Sequence, residues 1–195
     1  EILQREVILM DHKSTDRTPA STGVRSFFKG PPFVVLLLAV LALAICWYGN
    51  RLLVVLLPEN DLAVSSFPVS EGEEWHYHYK HSVQQTPVDE YFRVNGVNDM
   101  TMTHTTYESL GVGLPYDPAE GKFTSLKKDG KFDLEMNRPY TSIKFRTAVQ
   151  AMPMIIHNHG TYDLCSLYGQ GTLVEVKALK RYQYWLMKIK EMLIQ

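Results

Sequence analysis

The side chains best suited to chemistry in this 195-residue chain gather around one break in an extended stretch, Trp75 to Phe92 (WHYHYKHSVQQTPVDEYF). From Trp75 to Tyr79 aromatic and polar residues alternate strictly, which predicts a strand with one buried face. Pro87 has no backbone N–H, so a central strand cannot run through it, and the extended pattern resumes at Val88. The break therefore collects four side chains that can hydrogen-bond or move a proton: His81, Ser82, Thr86 and Glu90.

His81, Ser82 and Glu90 are the residue types of a hydrolase. The chain lacks a Gly-x-Ser-x-Gly motif that would present Ser82 as a nucleophile. We favour the interpretation that His81 and Ser82 end the strand and hydrogen-bond backbone groups released by the break at Pro87. Catalysis is the less favoured alternative. If His81, Thr86 and Glu90 converge on one surface with the further segments described below, we expect that surface to be a binding site.

Histidines suggest a metal site as a second possibility. His76 and His78 are two residues apart and share one face of the predicted strand, and His104 or His81 would supply a third ligand. The segment from His157 to His159 has the same spacing. Paired histidines on the polar face of a strand are more often solvated than ligating, so we expect no metal and no other cofactor.

Two further segments carry groups that recognise anions. The stretch Gly111 to Pro115 (GVGLP) has the glycines of a phosphate loop but lacks the third glycine and the following helix, so it predicts a tight loop with exposed backbone N–H groups. Arg138, after Asn137, can pair with a carboxylate, and we favour an internal one, Glu90 or Glu108, over that of a ligand. The predicted binding residues are His81, Ser82, Thr86, Pro87, Glu90, Gly111, Gly113, Pro115, Asn137 and Arg138.

These residues must be positioned by a domain that follows an apolar run, Phe33 to Tyr48 (FVVLLLAVLALAICWY), which carries no charge. Such a run is hydrophobic on all sides, which favours a lipid environment over a protein surface. We favour a non-cleaved signal anchor lengthened by flanking residues up to Arg51. A signal peptide cleaved after Ala42-Leu43-Ala44 and a buried core helix are the alternatives, and a lipoprotein site at Cys46 is the least favoured, because Ile45 stands where a small residue is needed. In both export cases the basic residues before the run stay in the cytoplasm and the rest of the chain is exported.

Short alternating segments separated by turn signals, including Asn95-Gly96 and Asp129-Gly130, predict a mainly β domain. Its expected form is an antiparallel sandwich or a partly open barrel. The run LLVVLL from Leu52 to Leu57 predicts either the first strand or a continuation of the membrane helix.

Helical spacing predicts an amphipathic C-terminal helix with an apolar stripe formed by Leu179, Tyr182, Leu186, Ile189 and Leu193. Such a stripe can cover the sheet edge, lie at the membrane surface or dock on a partner, and we favour the first. The predicted organisation is therefore a disordered cytoplasmic segment (1–30, with translation expected to start at Met10), a transmembrane signal anchor (31–50), an extracytoplasmic β-domain (51–178) and the helix (179–195).

Charge and cysteine usage exclude two classes of protein. Twenty basic and twenty-one acidic residues give a net charge of -1, so no nucleic-acid surface is expected. Cys46 lies in the apolar run and Cys165 in the domain, so a disulfide framework is not expected either.

Four segments, taken in order, resemble the bacterial family known as domain of unknown function 1850. They are YKHSVQQTPVDEYF (79–92), ESLGVGLPYDPAEG (108–121), MNRPY (136–140) and HNHGTYDLCSLYGQGTLVEV (157–176). The resemblance runs from about Leu52 to Val176. It departs from the family at Val112, where alanine is usual, and does not include the C-terminal helix.

The resemblance implies a small exported or membrane-anchored protein, often encoded beside TAXI-type TRAP transporters, which import organic acids. No established activity accompanies the family. We therefore expect a single-pass protein of the bacterial inner membrane with a periplasmic domain. It would assist uptake by contacting the TRAP permease or the solute-binding subunit. The alternatives are a metal-assisted hydrolase of the envelope that uses His76, His78 and Glu90, and a purely structural envelope protein.

Overall fold

The structure is a computed structural model that describes residues 31–59, 63–108, 121–125 and 130–194. The predicted N-terminal segment 1–30 and the loop residues Gly111, Gly113 and Pro115 lie outside the described residues. The chain divides into two compact units, Glu1–Val40 and Leu41–Gln195.

The first described element is the helix α1 (Pro31–Gly49), which begins at two prolines, residues favoured in the first helical turn. Its segment Pro32–Gly49 has a mean hydropathy of 2.4 and is long and apolar enough to cross a membrane. Apolar side chains point outward along the helix, so it has no polar face. The helix has the length and composition of either a membrane anchor or a signal sequence.

The remaining elements are mostly strands. Within the described residues they are β1 (Leu52–Pro58), β2 (Ser65–Val69), β3 (Glu74–Lys80), β4 (Pro87–Gly96), β5 (Asp99–Tyr107), β6 (Lys122–Ser125), β7 (Phe132–Tyr140), β8 (Ile143–Arg146), β9 (Met154–His157), β10 (Gly160–Asp163) and β11 (Leu173–Lys180). A 3-10 turn (Val149–Ala151) and two helices, α2 (Leu164–Tyr168) and α3 (Arg181–Ile194), complete the described chain.

The strands form two antiparallel sheets that are not closed. One has four strands in the order β2-β1-β11-β8, and the other has seven in the order β10-β9-β3-β4-β5-β7-β6. A core cluster draws residues from both sheets, among them Phe67, Val174, Trp75, Phe92 and Ile155. The prediction of a mainly β domain with a helix at each end is confirmed.

Strand β1 settles the ambiguity of the LLVVLL run. Leu52 to Leu56 are all buried, on both faces of the strand, because one face packs into the core between the two sheets and β1 contacts α3 as well. A strand covered on both faces needs no polar alternation, and this explains why the sequence also fitted a helix.

The turn between β4 and β5 differs from the prediction. The hairpin is confirmed, but its turn lies at Val97–Asn98 and not at Asn95-Gly96. Asn98 takes the positive φ of 49°, and its N–H donates to the carbonyl of Ala178 (2.8 Å). Asparagine tolerates this conformation, so a contact with β11 shifts the turn by two residues.

The C-terminal helix also differs from the prediction in two ways. Leu179 and Lys180 belong to β11, so α3 begins at Arg181. The predicted stripe does not cover the sheet edge, because Tyr182, Leu186, Ile189 and Leu193 are 45%, 62%, 47% and 81% exposed. The half-buried side chains of α3 include Tyr184, Trp185 and Met187 instead.

Candidate functional site

The predicted break between β3 and β4 is a tight turn built around His81. The N–H of His81 donates to the carbonyl of Thr86, and the N–H of Gln85 donates to the carbonyl of His81, both at 2.9 Å. Nδ1 of the buried His81 ring accepts the N–H groups of Val83 (3.3 Å) and Gln84 (3.2 Å). These bonds support the interpretation that His81 shapes the turn, since the nitrogen that would serve as a base is already used.

The other residues of the turn have different environments. Ser82 is exposed, and its carbonyl accepts a hydrogen bond from Nε2 of Gln85 (2.6 Å). Pro87 is the first residue of β4, as its missing N–H requires. Thr86 Oγ1 is buried and has no hydrogen-bond partner among the described residues.

Glu90 lies on the inner face of the seven-stranded sheet, the face that contacts the other sheet. It stands between Val88 and Phe92 on β4, which are 0% and 1% exposed, and opposite Tyr77 on β3. The hydroxyl of Tyr79 donates to Oε1 of Glu90 at 3.2 Å. A carboxyl group therefore replaces a core residue in an otherwise apolar row.

Arg138 reaches the same face from β7. It pairs with Met102 on β5, beside an irregularity in the register between Met102 and His104. Such bulges often occur next to functional sites, where they redirect a side chain. Arg138 is exposed, its charge acts on Glu90, and with Asn137 it lines a cavity of about 220 Å³. This supports the expectation that Glu90 is an internal partner of Arg138.

Burial makes the Glu90 carboxyl a weaker acid than an ordinary glutamate. It raises the pKa of Glu90 to about 6, although the hydrogen bond from Tyr79 and the charge of Arg138 both act to lower it. The pKa of the Tyr79 hydroxyl is also raised, first by burial and then by the charge of Glu90. The carboxyl can exchange a proton near neutral pH, and the guanidinium can bind a carboxylate of a ligand or partner.

The three histidines predicted as metal candidates lie on the outer face of the same sheet. Nδ1 of His78 is 2.6 Å from Oδ1 of Asp89, while Nε2 of His76 is 4.0 Å from that oxygen. The ring of Tyr91 stacks between those of His76 (4.9 Å) and His104 (4.0 Å). Since an aromatic ring separates two of the three imidazoles, this is a stacked surface and not a coordination sphere.

One group of three possible metal ligands does occur among the described residues. Glu73, His157 and His159 each present a ligand atom, and these atoms lie within 4.8 Å of one another. The sequence spacing of His157 and His159 indicated the histidines but not Glu73. Pairing of β3 with β9 brings Glu73 to them across the sheet.

The structure therefore unites part of the predicted site. Glu90 and Arg138 share one face, and His81 to Pro87 form the turn at the end of the strands that carry Glu90 and Tyr79. Asn137 borders Arg138. Gly111, Gly113 and Pro115 lie outside the described residues, so their prediction stays a prediction.

Residues 76–164 match the model of one protein family, described as a domain of unknown function. That family is DUF1850. The matched segment runs from β3 to the first residue of α2 and includes Glu90, Arg138, His157 and His159. The DUF1850 match confirms the resemblance predicted from the motifs, over a shorter range than Leu52 to Val176. No curated protein and no solved structure was found that matches this chain.

Proposed function

We propose that this chain is a single-pass protein of the bacterial inner membrane whose β-domain lies on the periplasmic side. It would assist a TAXI-type TRAP uptake system by contacting the permease or the solute-binding subunit. The observation that carries the proposal is the short distance in sequence between the apolar helix and the domain. Only Asn50 and Arg51 separate the end of α1 at Gly49 from the start of β1 at Leu52. If α1 is anchored in the membrane, this short connection therefore keeps β1 close to the membrane surface.

Aromatic and basic side chains surround this junction. The guanidinium of Arg51 lies 4.2 Å from the ring centre of Trp47, and that of Arg181 lies 3.8 Å from the ring centre of Tyr48. Trp185 of α3 adds a third ring, 5.9 Å from Tyr48. Tryptophan, tyrosine and arginine are enriched where a protein crosses the boundary between lipid and water, so this composition supports anchoring.

The exposed apolar stripe of α3 supports the same placement. Tyr182 and Trp185 lie beside Gly49 at the end of α1. A Cβ added to Gly49 would lie 3.5 Å from the side chain of Tyr182 and 3.6 Å from that of Trp185. Beyond this contact Leu186, Ile189 and Leu193 are exposed. An amphipathic helix that adjoins a membrane helix can bury such a stripe in the interface between headgroups and acyl chains.

Binding fits the domain better than catalysis. A metal-assisted hydrolase built from His76, His78 and Glu90 is disfavoured, because Glu90 lies on the inner face of the sheet and the two histidines lie on the outer face. Arg138 is exposed and offers a guanidinium that a carboxylate of a protein partner can pair with, while the buried Glu90 acts on that charge from within the domain. The transporter association implied by the resemblance supplies the class of that partner.

Crosslinking from native membranes, followed by capture of the tagged full-length protein, tests this proposal. We expect recovery of a TRAP permease or solute-binding subunit, and a loss of most of this capture in Glu90→Gln and Arg138→Gln. Arg93→Gln is the matched control, because Arg93 is exposed on the opposite face of β4. Failure to recover any transporter subunit, under conditions that capture other membrane complexes, contradicts the proposal. Equal losses in Arg93→Gln and Arg138→Gln would contradict the assigned surface.

A further inference from the structure

We propose that Glu73, His157 and His159 form a binding site for a divalent transition-metal ion, with Zn²⁺ as the best match. Two imidazoles and one carboxylate are a ligand set that zinc accepts, and three protein ligands leave one position open. Mg²⁺ and Ca²⁺ prefer oxygen ligands, so this set discriminates against them. The site is independent of the proposed contact with a transporter.

The fold fixes the two histidines close together. His157 is the last residue of β9, Gly160 is the first of β10, and only Asn158 and His159 form the connection. Gly160 takes a φ of 147°, a conformation that residues other than glycine rarely adopt. The tight hairpin thereby places both imidazoles at one end of the sheet.

Glu73 is held in front of this hairpin by backbone bonds. Its carbonyl accepts the N–H of Val94 (3.0 Å), and the N–H of the preceding Gly72 donates to the carbonyl of Val94 (2.7 Å). Oε2 of Glu73 accepts the N–H of Ser70 at 2.8 Å, and Oε1 accepts Nδ2 of Asn158 at 3.3 Å. Such outer hydrogen bonds orient a ligating carboxylate.

His157 supplies the strongest indication of a ligand. Its side chain is 0% exposed and stacks on Phe67 with a centroid distance of 4.7 Å. Nε2 is buried and lies 2.9 Å from Oε1 of Glu73. An imidazole nitrogen and a carboxylate oxygen this close to each other can share one cation.

The ring of His157 can adopt the tautomer that a metal needs. At present Nδ1 accepts the N–H of His159, at a long 3.4 Å. Coordination through Nε2 requires the ring proton on Nδ1, so this contact must open. A contact at that distance is weak, and a small movement of the loop is enough to break it.

A cavity gives the ion access to this position. Glu73 and His159 line a cavity of about 330 Å³, whose walls also include Arg51 and Arg181. Its volume exceeds the roughly 30 Å³ share of one water molecule, so a water or a small anion can complete the coordination. The arginines favour an anionic fourth ligand.

Metal titration of the full-length protein tests the site. The protein is purified in detergent with a tag that lacks histidine, stripped with EDTA and titrated with Co²⁺ while visible absorption is recorded. We expect one bound equivalent with the absorption of a tetrahedral ion. Glu73→Gln and His159→Asn should each weaken binding at least about tenfold. The control His78→Asn changes a histidine of the stacked outer face and should leave binding unchanged.

Thermal unfolding separates metal binding from a purely structural role. Wild type should melt at a higher temperature with Zn²⁺ than with EDTA, because a ligand that binds only the folded state stabilises it. His159→Asn changes an exposed residue, so it should melt like wild type in EDTA and gain no stability from Zn²⁺. Absence of Co²⁺ binding by wild type overturns the proposal. So does wild-type affinity in both ligand variants, or loss of binding in His78→Asn.

Discussion

Glu90 shows how much a single residue can depart from what its sequence position suggests. In the sequence it follows Asp89 in a polar stretch, whereas in the structure it occupies a core row between Val88 and Phe92. Register decides this, since Glu90 faces the same way as Tyr77 opposite it on β3. The residue types of the site were predictable, but the burial of Glu90 was not.

The raised pKa of Glu90 predicts a pH dependence of stability. Because the folded-state pKa of about 6 exceeds the ordinary value of 4.5, the folded chain binds this proton more tightly than the unfolded chain. The contribution is fully present below the ordinary pKa and is lost as pH rises through about 6, at a cost of about 1–2 kcal/mol. Glu90→Gln should remove this loss.

Melting temperatures of wild type and Glu90→Gln between pH 4 and pH 8, in detergent, measure the effect. The variant should gain about 1–2 kcal/mol relative to wild type as pH rises through this range, equivalent to a few degrees. A difference between the two proteins that stays constant with pH would show that Glu90 does not titrate as described.

At the scale of elements, prediction succeeded where the signal is local. Alternation of period two identified β3, β4 and β5, because one face of each is buried against the core. It failed to separate strand from helix at β1, whose two faces are both covered. Helix α2 was missed because its five residues are too few to show helical spacing.

An N-cap residue in the sequence, Asp163, could have indicated α2. Oδ1 of Asp163 accepts the N–H groups of Cys165 (2.9 Å) and Ser166 (3.1 Å). An aspartate before a short apolar segment is a recognisable N-cap, so this signal was present in the sequence. The exposed stripe of α3 was not predictable in the same way, because periodicity shows that a face is apolar but not what covers it.

The edge strand β6 depends on one glycine. A Cβ at Gly121 would overlap the carbonyl oxygen of Glu135 on β7. Gly121→Ala must therefore displace β6 from β7, and we expect a loss of about 1–3 kcal/mol. Gly96→Ala is the matched control, since a Cβ there meets nothing within 4 Å.

Chemical denaturation of the two variants measures this requirement. Gly121→Ala should unfold at a clearly lower denaturant concentration, while Gly96→Ala should stay close to wild type. Equal stabilities of Gly121→Ala and wild type would mean that β6 can move away from β7 without cost.

For the molecule as a whole, topology accounts for what the sequence could not predict. Glu90 approaches Arg138 through the β4-β5-β7 order of the sheet, and Glu73 approaches His157 through the pairing of β3 with β9. Both pairs join residues that are far apart in the chain, so the sequence named Glu90 only as one of two candidate partners of Arg138 and did not indicate Glu73 beside the histidines. The histidine pair on one strand, which spacing did predict, turned out to be a stacked surface.

The proposed function requires that α1 holds the β-domain at the membrane on the side away from the cytoplasm. A single reporter thiol tests it in spheroplasts. Cys46 and Cys165 are replaced by serine, and Gln170, which is exposed, is replaced by cysteine. Ser14→Cys in the same background reports the segment before α1.

The measurement is labelling by a membrane-impermeant maleimide before and after lysis. Gln170→Cys should react in intact spheroplasts and the protein should stay in the membrane after carbonate extraction, whereas Ser14→Cys should react only after lysis. Labelling of Gln170→Cys only after lysis, or release of the protein by carbonate, would contradict this placement of the β-domain.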